Sequence, residues 1–190
     1  MASELTVQTI KGPTSGGNAN KIIIPSGQTL DASAGLFTPS AGQMVQHVLV
    51  KPTTRTFFNT STYANAVGFS LTITPKFSNS KIVIRCFAKT SMHNLYQGVT
   101  NNSGQQHRIT RNGSQIYEAS WQNYFNRNDG VERDFYPLFI TEFIDEPSST
   151  SALTYVIQGK QYAGTQQPWG INDNNGGSTA AVFEATEIKQ

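Results

Sequence analysis

The sequence is short of several things, and each shortage narrows what it can be. It holds one cysteine in 190 residues, Cys86, so no disulfide can close within the chain. Charged residues make up only 14%, and the helix formers Lys, Glu and Leu are scarce. Gly, Asn, Ser, Thr and Gln take their place, a composition that favours turns and strands over helices. The net charge of +2 and pI near 8.7 supply no strong field for nucleic acid or an acidic membrane. No apolar run is long enough to span a bilayer as a helix. The opening residues MASELTVQTIK lack a charged segment followed by an apolar one, so synthesis in the cytosol is expected. No stretch repeats apolar residues with a helical period.

What is present is an alternation of apolar and polar residues, interrupted by turn formers. From Ala66 to Thr74, Val67, Phe69, Leu71 and Ile73 share one face of a predicted strand, the pattern of a half-buried strand. Ile82, Ile84, Cys86 and Ala88 do the same between Lys81 and Lys89, which makes Cys86 a buried thiol and not a nucleophile. Leu153, Tyr155 and Ile157 mark another strand, and Phe135–Ile144 and Thr179–Lys189 two more. Between 106–110 and 115–120 stands Asn112-Gly113, a strong signal of a two-residue hairpin turn. Asn94–Gln105, Trp121–Arg133 and Gln161–Ser178 read as loops. Eight or nine short strands at this spacing predict an all-β, antiparallel, jelly-roll-like β-sandwich over residues 51–190.

Residues 1–50 read differently. A weak strand pattern at 3–10 is followed by the linker KGPTSGGNA, then Ile22, Ile23 and Ile24, then a loop containing Leu30, Leu36 and Phe37, with a last strand at 43–51. Consecutive isoleucines in a strand point to both faces and need cover on both. Burying an isoleucine stabilises by about 1.5–3 kcal/mol, whereas ordering each backbone residue costs about 1–2 kcal/mol. Three isoleucines cannot order such a segment alone. It is expected to be an extended arm that docks on other copies or on a larger assembly.

Catalytic signatures are weak. His47, His93 and His107 lack metal-ligand spacing, and each is expected to be solvated or hydrogen-bonded. Gly16-Gly17 is not followed by the Lys-Ser/Thr of a phosphate loop. Asp145 and Glu146 precede Pro147 and read as turn chemistry. Asp129, Glu132 and Asp134 imitate a glycosidase pair, but such pairs need fixed separation in a rigid cleft. Arg108, Arg111, Arg127 and Arg133 among aromatics suggest single-stranded nucleic acid only weakly at this net charge. The better candidates for contact with a surface receptor are the aromatics on predicted loops: Trp121, Tyr124, Phe125, Tyr162 and Trp169. Flat rings beside amides suit sugars or protein partners. The competing expectation is that the same rings seal the sandwich or a subunit interface.

The stretch TVQTIKGPTSGGNANKIIIPSGQTLDASAGLFTPSAGQMVQ resembles the shaft or anchor segments of tail-fibre proteins from phages of aquatic bacteria, cyanophages especially. SLTITPKFSNSKIVIR, RNGSQI, PLFITEFIDEPSSTSALTYVIQ and the closing EIKQ are similar to their C-terminal β domain. The resemblance implies a homotrimeric virion protein, a short tail fibre or receptor-binding protein that attaches to a host surface glycan or protein. Its arm, with Ile22, Ile23, Ile24, Leu30, Leu36 and Phe37, would dock on other virion proteins. A capsid or neck decoration protein of the same fold is the alternative, and a glycan hydrolase is a more distant one. No cofactor, metal, nucleic-acid partner or membrane insertion is expected.

Overall fold

The computed structural model describes residues 12–17, 19, 22–23, 25–28, 39–92, 101–127, 135–161, 168–173 and 181–190. They divide into two units, one up to Thr38 and one from Pro39 onward. In the first, two tight turns are set. Ala19 N–H donates to the Gly16 carbonyl at 3.1 Å, and Gln28 N–H to the Pro25 carbonyl at 3.1 Å. Gly27 takes a φ of 81°, the backbone a type II turn requires at that position. Ile22 and Ile23 are more than half exposed and belong to no strand, contrary to the expected isoleucine strand. Ile24, Leu30, Leu36 and Phe37 lie outside the described residues.

The described residues of the second unit form ten strands and no helix. In chain order they are β1 (Met44–Val50), β2 (Thr56–Phe58), β3 (Ala64–Ile73), β4 (Lys81–Met92), β5 (Asn101–Arg111), β6 (Ser114–Arg127), β7 (Leu138–Asp145), β8 (Leu153–Gln161), β9 (Trp169–Ile171) and β10 (Val182–Ile188). One sheet runs β1-β10-β4-β9-β2, with β7 also paired to β4; the other runs β3-β8-β5-β6. Every pairing is antiparallel. The chain is therefore all-β, with two antiparallel sheets forming a β-sandwich.

The alternating strands supply the core. Ile82, Ile84, Cys86 and Ala88 of β4 are buried, as are Leu153, Tyr155 and Ile157 of β8 and Phe183 and Ala185 of β10. Phe69 meets Phe183 across the two sheets, ring centres 6.5 Å apart. Burial also pushes the Cys86 thiol's pKa up, so it stays protonated and inert. The Asn112-Gly113 turn takes φ values of 49° and 84°, as a type I′ hairpin demands.

Four expectations need correction. Val67 is 53% exposed, while Ala66 is buried in its stead. Gly68 sits at φ 81°, and the β3–β8 register shifts between Asn65 and Ser70. This bulge reverses the facing of the residues before it. The freed Val67 N–H donates instead to Thr56 Oγ1 at 2.8 Å. Second, residues 44–50, expected in the arm, form an edge strand paired with β10, so the compact unit begins near Pro39 and not at residue 51. Third, 101–105 and 121–127 are strand and not loop. Fourth, β9 interrupts the expected loop at 161–178. Its backbone pairs β2 on one side and β4 on the other.

Candidate functional site

The sequence-derived candidates divide between strands, the core and positions outside the described residues. Trp121, Tyr124 and Phe125 lie on strand β6 and not on a loop. Tyr162 lies outside the described residues, with His93, Asp129, Glu132 and Asp134. Trp169 is not a surface residue at all: it is fully buried on β9. Its ring packs on Phe58 with centres 4.4 Å apart, and Nε1–H donates to the Lys160 carbonyl at 2.7 Å. Gly159 makes this possible, since a Cβ there would stand 2.6 Å from Trp169 Cζ2. Replacing Gly159 with valine is expected to lower thermal stability by several degrees or prevent folding, read by circular dichroism melting.

The histidines also divide. His47 is exposed, with Nε2 3.2 Å from Glu184. His107 is fully buried, and neither ring nitrogen has a hydrogen-bond partner among the described residues. It packs edge-on against Phe139 at 4.4 Å. Desolvation pushes its pKa down from 6.5 to about 4; its burial without a partner among the described residues corrects the expectation of a solvated or hydrogen-bonded imidazole.

Three buried carboxylates act as clasps, two of them, Glu187 and Asp173, missed by sequence reasoning. Glu187 accepts from the N–H groups of Lys76 and Phe77 and from Ser80 Oγ, closing the 75–80 turn onto β10. Asp145, expected as turn chemistry, is buried and takes both Arg111 Nη1, at 2.7 Å, and the Tyr155 hydroxyl, at 2.6 Å. Asp173 receives Ser91 Oγ and Arg55 Nη1. Fixed donors of this kind occupy the carboxylate oxygens, a structural use. A polar pocket of about 350 Å³ lies at the Lys81–Glu146 end, lined also by Ser78, Asn79, Ser148 and Gln190.

The outward face of β3-β8-β5-β6 is different: Asn65, Gln115 and Glu118 are exposed and Arg108 and Gln158 half-buried, while Gln106 is buried. Register places Asn65 opposite Gln158, Gln158 opposite Arg108, and Arg108 opposite Glu118. One row thus crosses all four strands. Gln158 Nε2 donates to Asn65 Oδ1 at 2.6 Å, and Arg108 Nε to Gln158 Oε1 at 2.6 Å. Arg108 Nη1 also reaches Gln115 Oε1 at 3.1 Å. Glu118 accepts from Gln106 Nε2 and from Gln115 Nε2, each at 2.8 Å. The Gln106 amide, first among its donors, holds the Glu118 carboxyl below its usual range.

Tyr63, just before β3, lies among these groups. The Arg108 guanidinium carbon is 4.1 Å from its ring centre, and Lys160 Nζ is 4.5 Å away. Partial burial, then the neighbouring Glu118, raises the phenol pKa, so the hydroxyl stays protonated; its oxygen is buried and has no hydrogen-bond partner among the described residues. A ring pinned by two cations beside a row of fixed amides offers many hydrogen-bond donors and acceptors of low net charge. That arrangement suits a polyhydroxylated ligand better than a phosphate chain or a bare cation.

No protein-family model matches this chain, and no curated protein matches it. Among solved structures it is similar to the dimeric latent PorU of Porphyromonas gingivalis, with a TM-score of 0.30 and 11% identity over 80% of this chain. The chain spans 14% of the length of that protein. A likeness this weak carries no argument.

Proposed function

We propose that the chain is a non-enzymatic virion structural protein, a short tail fibre or receptor-binding protein, whose β-sandwich attaches to a host surface glycan. The observation that carries this reading is the transverse row Asn65–Gln158–Arg108–Glu118 with Tyr63 above it. Amides already held in position need little further ordering on binding a sugar. The strand orders support the finer fold proposal. Leaving aside the short β2 and β9, β1-β10-β4-β7 faces β3-β8-β5-β6, the interleaving expected of a jelly roll. A homotrimer and an N-terminal docking arm, with residues upstream of Pro39 meeting other virion proteins, belong to the same proposal and rest on the sequence resemblance.

The test is binding of the full chain to immobilised bacterial envelope polysaccharides. Tyr63→Ala and Arg108→Ala are each expected to weaken binding about tenfold, with melting temperatures near that of the parent. Polysaccharide binding that both variants retain in full, or no binding by the parent chain, would overturn this site.

A further inference from the structure

The other outward face, that of β7-β4-β10-β1, has the opposite character. Six large apolar side chains on it are at least 40% exposed: Met44, Leu49, Phe87, Leu138, Ile140 and Ile144. Register gives each of them a neighbour on this face: Ile140 faces Phe87, which faces Val182; Ile144 faces Val83, Leu138 faces Lys89 and Met44 faces Ile188. Leu49 faces Glu184, in the one charged row that crosses the face. So many exposed apolar side chains on one sheet face of a folded domain mark an interaction surface.

The charges on this face say what it meets. Arg85 stands between Glu142 on β7 and Glu184 on β10 in a single row, with Nε 2.5 Å from Glu142. His47 Nε2 lies 3.2 Å from Glu184, and Lys81 Nζ 3.0 Å from Glu146. Arg85, Lys81 and Lys89 therefore balance Glu142, Glu146 and Glu184 within the plane. A face with this balance presents no net field to attract a strongly charged partner. It can approach a copy of itself without like-charge repulsion, and Arg85 of one copy can meet Glu184 or Glu142 of another. An anionic membrane is disfavoured, because Glu142 and Glu184 would have to enter its headgroup layer. Four strands about 4.8 Å apart and nine residues rising about 3.3 Å each make a patch of roughly 500 Å². Two such patches come to roughly 1,000 Å², the lower bound for a specific interface.

We infer that the outward face of β7-β4-β10-β1 is the surface through which copies of this chain associate, leaving the Tyr63–Arg108 face turned outward. The inference rests on the proposed reading only in expecting several copies in one particle; the interface itself is argued from this face. Sedimentation of the full chain at micromolar concentration tests it. The parent is expected to be an oligomer. Phe87→Glu and Ile140→Glu should each weaken association about 30-fold or more, whereas Val67→Glu, on the opposite sheet, should not. Circular dichroism melts check that the variants fold, and Ile140→Thr, which keeps strand propensity, gives a milder step in the same direction. An oligomer that survives Phe87→Glu and Ile140→Glu, both folded, overturns the interface. A monomeric parent overturns it as well, and polysaccharide binding by that monomer would leave the attachment reading standing.

Discussion

Trp169→Ala is expected to destabilise the sandwich by about 3–5 kcal/mol, the cost of emptying a buried indole site. Single domains are held by only about 5–15 kcal/mol in total. Three losses coincide: the stacking on Phe58, the hydrogen bond to the Lys160 carbonyl, and the filling of the space that Gly159 leaves open. The orphaned carbonyl adds to the cavity term. Urea denaturation at neutral pH measures the change. Trp169→Phe keeps most of the packing and should fall between the parent and alanine. A surface-exposed tryptophan would give less than 1 kcal/mol, so a loss that small would contradict the burial of this ring.

Acidification is expected to weaken the fold through His107. Its folded-state pKa, about 4, lies below the 6.5 of the free side chain. The unfolded chain therefore takes up a proton first as pH falls. The stability tied to the neutral ring is fully present above pH 6.5 and is lost progressively down to pH 4. A displacement of this size corresponds to about 3 kcal/mol at most. His107→Leu removes the titrating group while keeping an apolar side chain between Phe139 and Tyr117. Its urea midpoint should change with pH less steeply than the parent's between 6.5 and 4. Parallel pH dependences in the two proteins would show that another group governs acid stability.

How much of this was written in the sequence follows from what each feature depends on. The faces of β4 and β8 were readable because every second residue is apolar and the strands are unbroken. β3 was readable except at Val67, where Gly68 breaks the alternation; a glycine inside an otherwise regular strand was the available signal. β9 could not be read, since WGI becomes a strand only by pairing with Thr56–Phe58 and Thr90–Met92. Trp169 was assigned to a loop because its neighbours are Gly, Asn and Gln, although a large aromatic is more often buried than not. The Asn65–Gln158–Arg108–Glu118 row was invisible for a deeper reason. Its members belong to four strands, and only the register of three separate pairings brings them abreast. Buried Glu187 is hidden likewise, because its donors Lys76, Phe77 and Ser80 come from a distant segment.

The position of β10 has a consequence for how the molecule is made. It lies between β1 and β4, with Met44 opposite Ile188 and Phe87 opposite Val182. Until residues 182–188 leave the ribosome, β1 has no strand beside it and β4 has a bare flank. Unpaired flanks are templates for illegitimate pairing with other nascent chains, and closure over so long a loop is slow. Acquisition of the native state is thus deferred until β10 has been made, and synthesis interrupted before Val182 should yield aggregates instead of a smaller functional domain.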